Sequence, residues 1–383
     1  MREVVIVEGV RSAVGRRKGA FSHTRPDDLA AEVLKGLVSR AGISADMVED
    51  VIFGCVSQVG EQSVNIARQA SLIAGFPVSV PGTTIDRQCG SSQQAVHFAA
   101  QAIASGDMDI VIAGGVESMT RIPMFSNRLD AEWSEHLTSQ HEIIHQGLSA
   151  ERMADKWELS RETLDEFSYN SHQKALKAQA EGRFNKEILP IEVTLEDGAK
   201  KLISEDEGPR KETTVDILNG LKPVFRENGK IHAGNASQMS DGAAALLIMS
   251  REKADQLQLK PRFRIVARTV VGSDPTLMLT GPIDATAKAL EKAELTIDDI
   301  DLYEVNEAFA SVPLAWLADT GANPEKLNVN GGAIALGHPL GATGAKLMIT
   351  LMNELERTNG RYGLQAVCEG HGMANATIIE RID

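Results

Sequence analysis

Residues 85–116 read IDRQCGSSQQAVHFAAQAIASGDMDIVIAGGV, and this stretch decides the fold. An extended lead, PGTTIDRQ over 81–88, gives way at Cys89 to Gly90, Ser91 and Ser92, which open a helix of small and apolar residues that Gly106 closes as a C-cap. MDIVIAGGV (108–116) then returns as an uninterrupted β-branched run, the pattern of a strand buried on both faces. REVVIVEGV (2–10) and VEDVIFGCV (48–56) read the same way, and IARQASLIAG (66–75) is a helix lying between two of these strands. Strands alternating with helices predict an α/β protein.

The C-terminal third repeats the order. RFRIVARTVVG (262–272), an amphipathic ATAKALEKAEL (285–295), IDDIDLYEV (297–305), SVPLAWLADTG (311–321), LNVNGGAIA (327–335), a helix through LMITLMNELERT (347–358), LQAVCEG (364–370) and ANATIIERI (374–382) follow one another. ISADMVEDVIFG (43–54) aligns with LTIDDIDLYEVN (295–306), which suggests two copies of one duplicated unit. Residues from about 120 to 236 break the rhythm: they are polar and charged, with helix signals at 149–160 and 161–182 and a turn-rich SEDEGPRKE (204–212). The expected organisation is an N-terminal half over 1–120 plus 237–258, an inserted loop domain over 121–236 and a C-terminal half over 259–383.

Composition bounds the function. With 383 residues, 43% hydrophobic and 24% charged, the chain can fill two or three apolar cores and reads as globular and soluble. Its start lacks a basic segment followed by an apolar one, and no apolar run approaches the ~20 residues that span a bilayer, so no membrane partner and a cytoplasmic home are expected. Three cysteines are too few for a disulfide framework. A net charge of −14 argues against nucleic acid as a partner, and an anionic small ligand would need a locally basic pocket.

Two cysteines bracket the chemistry. Cys89 stands at a strand-to-helix turn, where unpaired amides and the helix dipole are expected to lower its thiol pKa toward neutrality; the competing reading is a buried structural cysteine. His338 sits in GGAIALGHPLGATGA (331–345), whose five glycines demand a shaped loop, with a helix starting near Thr343. A phosphate loop is the rival there, but Ala345 and Leu347 flank Lys346, so the Gly-Lys-Ser/Thr ending is missing. A core histidine is another. Cys368 closes LQAVC before a glycine turn, so the carboxyl ends of two duplicated sheets could bring both cysteines to one crevice. Cys368 and His371 also form a Cys-x-x-His pair, yet neither Cys-x-x-Cys nor HExxH occurs, and no metal site is expected. Asn306, just after DLYEV, is a further candidate, while Cys55 reads as a small buried hydrophobe.

Taken in order, IDRQCGSS, HAGNAS, VNEAFA, GGAIALGHPLGATGA and the Cys-x-Gly-x-Gly turn resemble the thiolase family over nearly the whole chain. The resemblance implies a five-layer αβαβα fold of two duplicated halves with an inserted loop domain that binds coenzyme A. It implies acyl transfer between coenzyme A thioesters, with coenzyme A as cosubstrate, no permanently bound cofactor, and a homodimer or homotetramer. Cys89 would be the acylated nucleophile, His338 its base, Cys368 the acid/base thiol, Asn306 the holder of a water in one oxyanion hole, and Gly370 with the Cys89 amide the second hole. Ser237, His145 and Gln146 would line the pantetheine channel, and Arg210 would lie near the adenine end. Arg210, Lys211, Lys222 and Arg226 are the cations available for the phosphates. One departure stands out: the turn reads CEGHG, placing His371 where most members of the family carry glycine. A decarboxylating ketoacyl synthase or a non-catalytic acyl-CoA carrier on the same fold are the alternatives, and the second thiol argues against the former.

Overall fold

The computed structural model describes residues 2–382. Its strands are β1 (Val4–Arg11), β2 (Gly15–Arg16), β3 (Asp50–Gly54), β4 (Gly82–Ile85), β5 (Ile110–Ser118), β6 (Ile191–Thr194), β7 (Lys200–Ile203), β8 (Ser240–Ser250), β9 (Phe263–Gly272), β10 (Leu302–Val305), β11 (Tyr362–Glu369) and β12 (Met373–Arg381). The main sheet runs β4-β3-β5-β8-β1 and continues β9-β12-β11-β10. Only Val5↔Arg264 and Ile6↔Phe263 join the two parts, so the seam is short.

Both parts share one topology. β3 pairs in parallel with β4 and β5, and β8 returns antiparallel beside β5; likewise β10 pairs in parallel with β11, and β12 returns antiparallel beside it. The segment at 327–330, the counterpart of β4, contributes only a single parallel bridge, Leu327↔Tyr303, because Gly331 and Gly332 turn the chain into the short helix Ala333–Leu336.

Side-chain alternation then builds the layers. Val111, Ala113, Leu246 and Ile248 face a central layer made of the helices Ser91–Ser105 and Thr343–Thr358, through Val96, Ala99, Ala100, Met348 and Met352. Ile110, Ile112, Ala245 and Leu247 face the opposite way, against Val33, Leu34 and Leu37 of the helix Pro26–Ala41. In the C-terminal part Ala374, Ala376 and Ile378 meet Ala285 and Ala289 of the helix Gly281–Ala293 and Trp316 of the helix Ser311–Thr320. The order is helix, sheet, paired helices, sheet, helix: five layers. Gly344 permits the central approach, since a Cβ there would overlap the backbone of Gln93.

β5 and β8 are neighbours, yet 119–239 lies between them in sequence. That excursion holds the helices Gln146–Lys156 and Arg161–Ala180 and the β6–β7 hairpin. It is fastened to β1 by Arg11, fully buried, whose guanidinium meets Glu187 Oε1 and Asp206 Oδ1 at 2.7 Å each. Among the described residues, no helix is long and apolar enough to cross a membrane.

Candidate active site

Cys89 owes its position to a strained turn. After β4, Asp86 Oδ1 accepts from the Gln88 amide (2.7 Å), and Gln88 takes a left-handed φ of 47°, which costs a non-glycine residue on the order of 1 kcal/mol. Ser91 Oγ donates to the Gln88 carbonyl (2.6 Å) and accepts from the Arg87 amide (2.9 Å), locking the turn. Gly90 follows because a Cβ there would fall inside the Glu369 carboxyl group. Cys89 lines a cavity of about 460 Å³ that is also lined by Gly370, His145 and Gln146.

The expected lowering of the Cys89 pKa is overturned. Burial first, then Cys368 and Glu369, push its thiol well above the ordinary value. The geometry explains why the helix start does not prevail: the Gly90 and Ser91 amides already donate to Arg87 and Gln88 carbonyls, leaving Cys89's own amide as the backbone donor bearing on the sulfur.

His338 is held from three sides. Its amide donates to Ser240 Oγ (2.8 Å) and the Gln238 carbonyl (3.2 Å), and Gly337 before it takes φ 98° where a side chain would strike Ser240. Nδ1 lies 2.6 Å from Thr343 Oγ1, which itself lies 2.9 Å from the Pro339 carbonyl. A carbonyl only accepts, so the hydroxyl proton goes to Pro339 and the hydroxyl accepts from Nδ1–H. Nε2 is therefore the bare nitrogen. Burial pushes the imidazole down to about 4, so it rests neutral.

Asn306 Nδ2 lies 3.4 Å from that Nε2, and its buried Oδ1 has no partner among the described residues. The Asn306 amide extends the β10–β11 ladder by bonding the Ala366 carbonyl (3.0 Å). Its side chain also bonds Cys368, whose thiol is pushed up to about 12 by burial and by Glu369, against the pull of Asn306. Both thiols are free, and each of Cys89 and Cys368 feels the Glu369 carboxyl. The four groups on which the sequence reading centred thus converge from four distant segments.

The remaining candidates divide. His145 caps the helix Gln146–Lys156 through Nδ1, which accepts from the Gly147 amide (3.0 Å), and its ring stacks on Phe225 at 5.1 Å. Ser237 is not on the cavity wall; its amide bonds the Ala308 carbonyl (2.9 Å), one residue before the Gln238 that supports His338. Arg210 is exposed away from the cavity, with its amide on His172 Nδ1 (3.2 Å). Arg226, a candidate phosphate ligand, is engaged by Asp155 (2.7 Å) and Glu151 (3.2 Å). Among the described residues no cluster of three or more metal-ligating side chains occurs.

Three contributors escaped the sequence reading. Glu117, fully buried, accepts from the amides of Val56 (2.9 Å), Ser57 (3.1 Å) and Gly341 (2.9 Å) and from Gln62 (2.8 Å), so it ties the His338 loop to the N-terminal part. Thr343 fixes the tautomer. Glu369 bears on both sulfurs and sits in the very turn that carries Cys368, a signal available in CEGHG.

Both the sequence and the fold match known proteins. The model of the thiolase N-terminal domain matches residues 4–252, and that of the thiolase C-terminal domain matches 259–381. The chain is 48% identical to the steroid 3-ketoacyl-CoA thiolase FadA6 of Mycobacterium tuberculosis, covering 100% of this chain and 95% of that protein. It is 46% identical to a 3-ketoacyl-CoA thiolase of Aliivibrio fischeri, covering all of both. The crystal structure of the Bacillus anthracis acetyl-CoA acetyltransferase superposes with a TM-score of 0.93 at 40% identity, covering 100% of this chain and 99% of that one. With both halves matched and the duplicated sheets superposed, the chain belongs to the thiolase family.

Proposed function

We propose that this protein is an acyltransferase that cleaves 3-ketoacyl-CoA with coenzyme A and runs the reverse condensation of acetyl-CoA. The observation that carries the reading is the bare Nε2 of His338, fixed by Thr343, beside two free thiols under a largely apolar cavity.

Nε2 takes the Cys89 proton as the sulfur attacks the 3-keto carbon. The resulting alkoxide is held by the amides of Cys89 and Gly370, each donor of this kind stabilising the transition state by roughly 3 kcal/mol. Collapse breaks the bond between C2 and C3, the electron pair passing into the enolate of acetyl-CoA. Cys368 gives that enolate its proton, while His338 and Asn306 face the enolate oxygen. The thiol of a second coenzyme A attacks the acyl group on Cys89 and yields its proton to the Cys368 thiolate. Cys89 leaves as thiolate, recovers the proton from His338, and the site is restored. Every step is reversible.

Both ends of the proton relay rest neutral, since burial raises the thiols and lowers the imidazole. The thiolate then forms only with an acceptor carbonyl in place. Residues 121–236 are proposed as the loop domain that receives coenzyme A, through His145 and Gln146 at the cavity, with Ser237 beside the channel and Arg210 toward the adenine end. A dimer is proposed from the outer edge at β4, around which Val64 (86% exposed) and Val78 (82%) stand open to solvent.

The test is direct. Acetyl-CoA should leave an acetyl group on the Cys89 peptide by mass spectrometry, and Cys89→Ala should abolish both the label and thiolysis. Absence of label on the native chain would favour a non-catalytic carrier. Label without thiolysis of a 3-ketoacyl-CoA panel would favour a one-way condensing enzyme.

A further inference from the structure

A histidine occupies a left-handed backbone position in the turn between β11 and β12. His371 has φ 62° and Gly372 φ 77°, a region that favours glycine. His371 is exposed and directly follows Gly370, and its ring meets Trp133 edge-on at 5.0 Å and 83°. The Trp133 ring also carries the Arg128 guanidinium, 3.9 Å from the ring centre. All three line the cavity that Cys89 also lines, together with Val56, Met124 and Leu340.

The loop bearing Arg128 and Trp133 is itself strained: Phe125, Leu129 and Asp130 have φ of 70°, 49° and 63°. Asn127 anchors it by donating to the Val56 carbonyl (3.3 Å). Strain gathered on both sides of one cavity wall points to a wall kept for its contacts with a ligand. We infer that His371 and Trp133 form an aromatic clamp across the acyl end of the cavity, and that it packs on the distal part of a medium- or long-chain apolar acyl group. This inference rests on the acyl-transfer reading above. An acyl group bonded to Cys89 has its carbonyl at Gly370, so atoms further along the chain come against the neighbouring His371 ring. An acetyl group ends before reaching it.

The test compares thiolysis of acetoacetyl-CoA and 3-ketodecanoyl-CoA by the native enzyme, His371→Gly, Trp133→Ala and the double variant. Each single change should lower the ratio of kcat/KM, long over short, about tenfold, the order expected when apolar pocket contacts are lost. The double variant should fall short of the product of the singles, because the rings act as one unit. His371→Gly should melt no lower than the native chain, since glycine relieves the backbone; a lower Tm with an unchanged ratio would make the histidine structural and overturn the clamp. A ratio that is unchanged, or that moves toward the long substrate, also overturns it. Acetylation of native Cys89 is measured in parallel, so that its absence indicts the acyl-transfer reading instead.

Discussion

The hydroxyl of Thr343 lies 2.6 Å from Nδ1 of His338 and gives its only proton to the Pro339 carbonyl. That one-way bond decides which imidazole nitrogen can act as a base. Thr343→Val should leave Nδ1–H buried without an acceptor or release the other tautomer, a penalty of about 1–3 kcal/mol. The expected result is a kcat lower by about tenfold or more with KM nearly unchanged, and recovery in Thr343→Ser. Steady-state kinetics of the pair check this; a valine variant with native kcat would remove Thr343 from the mechanism.

The buried imidazole and thiol predict a flat pH profile. With the imidazole near 4 and the Cys368 thiol near 12, the free enzyme keeps a bare base and a protonated acid throughout the neutral range. A plot of kcat/KM against pH should run level from about pH 5.5 to 8.5 once the ionisation of the substrates is subtracted. A limb at an ordinary histidine value, near 6.5, would mean that His338 is not the neutral base.

Much of this was legible in the sequence, and the failures share a cause. The strands VVIVEGVR and IVIAGGVES announce themselves because burial on both faces leaves few polar positions, and Gly106 ends its helix with φ 91° as a C-cap should. β8, by contrast, contains GAAALLIM, whose alanines favour helix; pairing with β1 and β5 on either side overrides that preference. The helix Pro26–Ala41 carried its own signals, Pro26 at its start and Gly42 at its end with φ 69°, but had no counterpart motif to draw attention to it. In the site, Cys89, His338 and Cys368 stood out as candidates from turn chemistry, and Asn306 from the family resemblance. Glu117 and Trp133 were not, since the one reaches Gly341 and the other His371 across more than two hundred residues, groups that only the fold brings near. The thiol pKa failed for a subtler reason: burial raises the thiol, and the two helix-start amides next to it in sequence, those of Gly90 and Ser91, are bonded within the turn.

Acid should unfold the chain through its buried histidines. His97, His172 and His338 are pushed down to about 3, 4 and 4, all chiefly by burial. Each stays neutral when folded but takes a proton near 6.5 once unfolded, so the unfolded state binds more protons between about 6.5 and 4 and stability falls as pH falls through that window. At about 1.4 kcal/mol for each tenfold difference in proton affinity, each histidine removes a few kcal/mol by about pH 4. Glu369, whose carboxyl is pushed up to about 9, binds a proton in the folded state over the same window and offsets part of this loss, so the measurement is the difference in urea midpoint between the native chain and a histidine variant from about pH 6.5 to 4.5. His97→Gln, which keeps a partner for Thr377 2.8 Å away, should soften the decline; an identical slope would exonerate this histidine.

Glu369 predicts an alkaline effect of opposite sign. Its carboxyl is pushed up to about 9 by burial, against Arg87, so the folded state keeps a proton that the unfolded state loses near 4.5. Stability from this group is present below about 4.5 and lost as pH rises through about 9. Glu369→Gln stays neutral, so its urea midpoint should gain on the native chain between about pH 6 and 9. The same change removes a charge that opposes thiolate formation at Cys89. Alkylation of Cys89 by iodoacetamide should match the native rate near pH 6 and exceed it several-fold above about pH 9. Equal rates at both would show that the carboxyl does not reach the sulfur.

Two glycines near the same carboxyl should respond in opposite ways to a single methyl group. A Cβ on Gly90 would overlap the carboxyl of Glu369, whose side chain is fully buried, and the turn carrying Cys89 would have to shift. Overpacking of this kind costs about 1–3 kcal/mol, and a displacement of the nucleophile by even a fraction of an ångström disturbs attack geometry further. Gly90→Ala should therefore lower Tm by several degrees and cut Cys89 acetylation by about a hundredfold. A Cβ on Gly370 would come no nearer than 3.2 Å, to Gln88 Oε1 at the end of a flexible side chain, and no left-handed φ is imposed there. Gly370→Ala should keep its amide in place, its Tm near native and its acetylation rate within about threefold. If Gly370→Ala proves the more damaging of the two, the oxyanion wall is tighter than the geometry of this turn allows.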